Sequence, residues 1–338
     1  MIRVYSNKSS SRGQFISNYL ISPSPHISSG ESVAKIMWIV NATLIPAILS
    51  SIFYYGITAF YIITVAVVSA VIAEVISNVL RKEEGTISDG SAVLTGLLLA
   101  LSLSPGMELT KVSLGSFFAI IIGKQLFGGL GYNIFNPALI GRAFLQISFP
   151  VEMTSFYSMI DRTKPAFFMN EIDGVTSATS LAALKFDGNF TRIEDLFWGN
   201  HSGAIGETSA AMLLLGVAVL VYKRYINLLV PLSIFMAVAV VAGITSTLHP
   251  EKFGGVFFNL LSGGMIFGSF YMATDMVTSP VTTKGVIIFG IGIGLVTMLI
   301  RLGGGMTEGF MYSVLIMNSL VPLINRYTRP GYFGEEKK

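Results

Sequence analysis

The chain has 338 residues, 52% of them hydrophobic and only 12% charged, about half the ~25% charge of an ordinary soluble domain. So little charge cannot coat a water-facing surface, which excludes a soluble globular domain, and the net charge of +3 is spread through loops without the Lys/Arg block that nucleic-acid binding needs. With no cysteine, the polypeptide holds no disulfide, thiolate metal site or Cys-ligated iron–sulfur cluster of its own.

In chain order, residues 1–33 are polar and Ser-rich and lack the basic start and apolar core of a signal peptide. They are expected to stay in the mature protein as a cytoplasmic segment. No Asp, Glu, Lys or Arg occurs from Ile36 to Ala73, from Phe253 to Thr274 or from Gly309 to Asn325, and a helix crossing the hydrocarbon core needs about 20 apolar residues. Runs between punctuation give ten candidate spans, five near 34–55, 57–80, 91–104, 112–127 and 134–149 and five near 208–222, 226–248, 254–273, 285–301 and 304–325. The predicted fold is therefore an all-α integral membrane protein of about ten helices. Its parts are a first membrane unit over 34–149, a loop over 150–207, a second unit over 208–325 and a cytoplasmic tail over 326–338.

Lys and Arg gather in cytoplasmic loops. Placing the N-terminus inside puts Arg81, Lys82, Lys124, Lys223, Arg224, Lys284, Arg326 and Arg329 inside, with the 150–207 loop outside and both termini cytoplasmic. A repeat emerges when the chain is compared with itself: Ser104-Pro105 and Ser279-Pro280 are 175 positions apart, as are Gly128-Gly129 and Gly303-Gly304, and Gly115 and Gly290. Five spans per unit is an odd number, so the second unit would be inverted relative to the first, with broken third helices near 91–104 and 262–279 marking a central site. Common helix breakers in both halves would give the same matches.

The 150–207 loop carries eight acidic residues (Glu152, Asp161, Glu171, Asp173, Asp187, Glu194, Asp195, Glu207) against four basic ones (Arg162, Lys164, Lys185, Arg192). Its apolar content, including Leu181, Leu184, Phe186, Leu196 and Trp198, argues for order. Within it, Asp173-Gly174-Val175-Thr176-Ser177-Ala178-Thr179-Ser180-Leu181 sets an acidic turn and small hydroxyl residues before an apolar run. Such a pattern suits a helix N-cap. The other reading is a backbone that a second protein approaches to modify a hydroxyl.

The segment resembles the flavinylation motif Asp-Gly-x-[Ser/Thr]-[Gly/Ser]-Ala-[Thr/Ser], with Asp173, Gly174, Thr176, Ser177, Ala178 and Thr179 in register and Ser177 where many members have Gly. Ser24-Pro25-His26, Ser32-Val33, Ile36-Met37 and Pro46 resemble the N-terminal signature of the D subunit of Rnf electron-transport complexes. So do the run from Gly128-Gly129-Leu130-Gly131-Tyr132-Asn133 to Ile134-Phe135-Asn136-Pro137-Ala138 and Gly141-Arg142-Ala143. The same family includes the B subunit of the sodium-translocating NADH:quinone reductase, and the short start favours the Rnf branch.

This resemblance implies a flavoprotein of the prokaryotic inner membrane, a subunit of an ion-translocating ferredoxin:NAD oxidoreductase complex that couples electron transfer to movement of Na+ or H+. It implies FMN attached to Thr179 through a phosphoester by a flavin transferase, a second, non-covalent flavin such as riboflavin among the spans, and iron–sulfur and nucleotide-binding partner subunits. A flavin suits a chain without cysteine, since the cofactor carries the electrons and the protein positions and tunes it.

Acidic residues within spans are costly and often mark ion or proton routes, so Glu74, Asp275 and Glu308 are candidates for one. Each can instead pair with Lys or Arg. Lys124 and Arg142 flank the Gly-rich turn, where they would anchor the cytoplasmic face or hold an anionic flavin or a partner. The glycines of Gly128-Gly129-Leu130-Gly131 are read as close helix packing, since no βαβ pattern surrounds them, with Asn133 and Asn136 capping freed backbone. His26, His201 and His249 lack neighbours at metal-ligand spacing, so no metal site is expected. A non-redox solute or ion channel with inverted repeats is the competing function, and the loop motif is what it has no reason to carry.

Overall fold

The computed structural model describes residues 31–82, 87–157, 176–248 and 254–330. Ser24 to His26, Asp173, Gly174, His249 and the end of the tail fall outside them. The regular secondary structure of the described residues is helical apart from one two-residue antiparallel ribbon, β1 (Phe156–Tyr157) with β2 (Thr176–Ser177).

The first apolar run is bent into α1 (Val33–Thr43) and α2 (Ile45–Tyr55). Pro46 in the first turn of α2 has no N–H to give to the preceding turn, while Ser32 caps α1 through Lys35 N–H. Gly56, at φ 66°, reverses the chain into α3 (Ile57–Arg81). Next come α4 (Ser91–Leu101), α5 (Leu109–Ile121) and α6 (Pro137–Ser148), then the short α7 (Pro150–Thr154), α8 (Ser180–Ala182) and α9 (Ile193–Trp198). The second half holds α10 (Ala210–Tyr222), α11 (Leu229–Leu248), α12 (Val256–Leu261), α13 (Met265–Phe267), α14 (Thr283–Gly303) and α15 (Phe310–Thr328). Five stretches are long and apolar enough to cross a bilayer: Val33–Tyr55, Ile57–Arg81, Leu109–Phe127, Leu229–Leu248 and Thr283–Gly303.

The expected span near 254–273 is interrupted. Helix α12 stops at Leu261, Gly263 turns at φ 65°, and α13 widens after Phe267 into a π-type turn closed by Ala273 N–H to Gly268 O at 2.8 Å. The glycine-rich segment departs from the packing expectation. Gly128, Gly129 and Gly131 have φ of 119°, 90° and 93°, and a Cβ on Gly131 would meet nothing; these glycines make turns that side chains rarely adopt. Asn136 does cap α6, accepting from Ala138 N–H at 3.0 Å, and Asn133 donates to Phe135 O.

Contacts sort the helix ends into two faces. On one, Tyr225 at the foot of α10 hydrogen-bonds Glu31 ahead of α1, and Arg81 at the end of α3 reaches Gln125 beyond α5. On the other, Tyr54 and Tyr55 bond Trp198 O and Gly203 O, and Lys111 pairs with Glu152. The residues flanking the motif thus gather at the face opposite Glu31. Packing is similar in the two halves: α3 lies along α5 and α5 along α6, as α11 lies along α14 and α14 along α15.

Candidate functional site

The ribbon pairs Phe156 with Ser177 and Tyr157 with Thr176, which fixes the backbone of the motif against the end of α7. Thr179 follows in an extended conformation, and its Oγ1 accepts from Ala182 N–H at 3.2 Å as the cap of α8. The capping reading is therefore what the geometry realises in the unmodified chain. The loop is held to the second half by Lys185, whose Nζ donates to Arg301 O at 2.9 Å and Met306 O at 3.1 Å, and also to Gly304 O. A cation on these carbonyls also suits the negative end of the helix dipole of α14.

Half-buried Thr179 opens onto a cavity of about 400 Å³, within the ~300–1,000 Å³ of small-molecule sites. Phe156, Phe186, Tyr312 and Met311 supply apolar wall, and Arg142 and Glu308 supply charge. Arg142 Nη2 donates to Glu308 Oε2 at 2.6 Å, and Glu308 Oε1 accepts from Gly264 N–H at 2.8 Å. Arg142 is 8% exposed and its Nε has no partner.

Behind Thr179 lies a second, smaller cavity lined by His201, Glu207 and Glu308. Glu207, in the turn ahead of α10, lies against Glu308, and burial together with that neighbour pushes its carboxyl well above the usual carboxylate range. Burial lowers the pKa of His201, against the contact of its Nδ1 with Asp195 O at 3.3 Å, which raises it. Arg301 near the end of α14 binds Asn259 O at 2.7 Å and Ser262 O at 3.0 Å, the carbonyls freed where α12 breaks.

The structure thus brings Thr179 and Glu308 together and adds Arg142, Glu207 and Arg301. Arg142 faces the loop, not the opposite end where its sequence neighbours Lys124 and the Gly-rich turn sit, because α6 carries it toward the Glu152 side of the molecule. Thr176 and Ser177 are placed by their backbone, and Ala178 is exposed.

The other candidates lie elsewhere. Glu74 accepts from Lys124 Nζ at 2.8 and 3.0 Å, with Lys124 also 2.6 Å from Ser91 Oγ. Asp275 accepts from Val277 N–H at 3.3 Å and Thr278 Oγ1 at 3.1 Å, and lines, with Lys124 and Asn136, an apolar cavity of about 90 Å³ between α4 and the end of the broken segment. Among the described residues no group of three His, Cys, Asp or Glu side chains could hold a metal ion.

An apolar multi-helix body with five stretches long and apolar enough to cross a bilayer is that of a multi-pass membrane protein, with a cavity that Arg142 and Glu308 charge beside an ordered part of the loop. The chain belongs to the NQR2, RnfD, RnfE family, whose model matches residues 20–334. It is 42% identical over 329 residues to the D subunit of the proton-translocating ferredoxin:NAD(+) oxidoreductase complex of Clostridium ljungdahlii, covering 94% of this chain and 97% of that one. It is 41% identical over 327 residues to the D subunit of the Na(+)-translocating ferredoxin:NAD(+) oxidoreductase complex of Acetobacterium woodii, covering 95% and 96%. With the D subunit of the ion-translocating oxidoreductase complex of Actinobacillus succinogenes it shares 35% over 347 residues, covering 94% and 98%.

Proposed function

We propose that this chain is the membrane flavoprotein subunit of an Rnf-type ion-translocating ferredoxin:NAD oxidoreductase complex, carrying FMN on Thr179 and not catalytic alone. The observation that carries the reading is the position of Thr179 at a cavity of about 400 Å³ whose wall holds Arg142. A hydroxyl to esterify, a guanidinium for the phosphate and an aromatic, sulfur-bearing lining are the donor set such a group needs. FMN would supply one- and two-electron transfer there. The chain's own part is to place it: the ribbon and Lys185 fix the loop, Arg142 would donate hydrogen bonds to the anion, and Glu308 holds Arg142 in place. Asp173, Gly174, Thr176, Ser177 and Ala178 are the residues a flavin transferase would read.

The architecture proposed for this role is ten passes in two inverted halves, supported by the similar packing of α3, α5 and α6 and of α11, α14 and α15. Both termini lie in the cytoplasm and the flavin loop outside the prokaryotic inner membrane. Iron–sulfur and other membrane subunits complete the electron path. A second, non-covalent flavin such as riboflavin belongs to the same proposal, as does a route for Na+ or H+ past Asp275, Glu74 or Glu308. The solute-channel reading has no use for a hydroxyl beside a buried guanidinium.

Mass spectrometry of the loop peptide containing Thr179 tests the central assignment. An FMN adduct on Thr179, with the in-gel flavin fluorescence of the denatured chain abolished by Thr179→Val, is the expected outcome. An unmodified peptide from a flavin-competent host, or fluorescence persisting in the variant, would overturn it.

A further inference from the structure

Beneath Thr179 the protein keeps more acid than an anion site needs. Glu207 and Glu308 lie against each other, and both converge on Gly264, where an added Cβ would meet Glu308 Oε1 at 2.6 Å and Glu207 Oε1 at 2.9 Å. A side chain there would have to push the ends of both carboxyls aside. Glu308 is well provided with donors, one oxygen taking Gly264 N–H and the other Arg142. Glu207 is not: Oε2 has a long 3.4 Å bond from Ala204 N–H, and the buried Oε1 has no donor.

An ionised carboxylate only accepts, so a buried oxygen without a donor is expensive for the charged form. Two carboxylates in contact also resist joint ionisation. Protonating Glu207 removes both penalties, because its O–H can donate to Glu308. The charged and titratable groups facing the pair are Arg142 from α6, Arg301 from α14, Tyr312 from α15 and His201 from the stretch before α10. Arg301 spends two of its nitrogens on backbone carbonyls, and its Nε, like that of Arg142, is buried without a partner. Ser180 and Ser262, 4% and 0% exposed, each keep a buried hydroxyl with no partner. The small cavity touching Thr179, Glu207 and Glu308 measures about 30 Å³, and a water needs about 10–15 Å³.

We propose that Glu207 and Glu308 share one proton, and that this pair takes up a second in step with charge arriving on the group carried by Thr179. The coupling rests on the reading of Thr179 given above. When a one-electron donor, a reduced iron–sulfur or flavin centre of a partner subunit, delivers an electron to the loaded site, the pair binds one proton from water. Glu–H–Glu⁻ becomes two neutral acids, and the site gains one electron and one proton with no net charge. Arg142, no longer facing a carboxylate, is left to the anionic group. When the electron leaves, the proton returns to water.

Infrared spectroscopy of the purified full chain in detergent tests both halves. The resting protein at neutral pH is expected to carry a protonated-carboxyl C=O band that shifts in D2O and is missing from Glu207→Gln. On reduction with dithionite the band should grow in the flavin-loaded wild type and stay constant in Thr179→Val. The flavin midpoint potential should fall with rising pH in wild type and lose most of that slope in Glu207→Gln, at equal flavin content. Identical resting spectra for wild type and Glu207→Gln would overturn the shared proton, and this comparison needs no flavin. A band indifferent to reduction in loaded protein, or an unchanged potential slope in the variant, would overturn the coupling while leaving Thr179 as the attachment site. A chain that carries no flavin would sink the attachment and the coupling together, with the resting band still deciding the proton.

Discussion

Lys124 and Asp275 line the same cavity yet hold their charges in different ways. Lys124, 1% exposed, is matched by a fully buried carboxylate and a hydroxyl, whereas half-buried Asp275 has a backbone N–H and one threonine. Removing one partner of a buried pair strands the other charge, at about 3–5 kcal/mol. Lys124→Met is therefore expected to lower the unfolding temperature of the chain sharply, with Glu74→Gln added to it recovering part of the loss. Asp275→Asn keeps its size and one acceptor and should melt like wild type. If Asp275 lies on the ion route, the reconstituted complex with Asp275→Asn moves fewer ions per electron; unchanged uptake would remove it. The sequence named Glu74, Asp275 and Glu308 as costly acids and offered pairing as one outcome for each. It could not say which partner each finds, because Glu74 and Lys124 are 50 residues apart and Arg142 and Glu308 are 166 apart.

Elements were legible where a local cause ends them. Asn136-Pro137 starts α6 and the Ser-Gly-Gly of 262–264 falls in the interrupted span, whereas the bend at Pro46 departs from the single span expected over 34–55. Helix contacts were not, because a glycine's role depends on what lies opposite. Gly290 and Gly294 on α14 face Val230 O and Ile234 O on α11, a Cβ meeting them at 2.9 and 2.8 Å. Spaced four residues apart on each helix, these pairs let the two backbones touch, the small-xxx-small arrangement of membrane helices. Gly115, its match in the first half, instead faces the side chain of Leu145. A methyl on Gly294 meets backbone and the Cβ of Ala237, neither of which can swing aside. Overpacking of this kind costs about 1–3 kcal/mol, so Gly294→Ala should unfold earlier in a detergent melt. Gly303→Ala, where a Cβ meets nothing, is the neutral control; equal melts for the two would mean that α11 and α14 are not held this closely.

At the scale of the whole molecule, charge bias in the sequence and contacts in the structure address the same question by unrelated physics. The first divides loops by Lys and Arg and sets 150–207 opposite both termini. The second, without any membrane, puts Glu31 and Tyr225 at one face and Tyr54, Trp198 and the motif at the other. What the bias adds is the absolute direction, inside against outside. The absence of cysteine, first a limit on the chemistry of the chain, makes the direction measurable, because any introduced thiol is the sole reactive one. Asn189 lies just beyond the π-type turn that continues α8 to Asp187, at the motif face, and Lys223 just beyond α10 at the other, and both are exposed. In intact cells a membrane-impermeant maleimide should label Asn189→Cys and spare Lys223→Cys, which reacts only after the membrane is opened. The reverse pattern would put the Thr179 cavity in the cytoplasm. The proton taken up by Glu207 and Glu308 would then come from the cytoplasmic side, so this labelling also fixes which compartment supplies it.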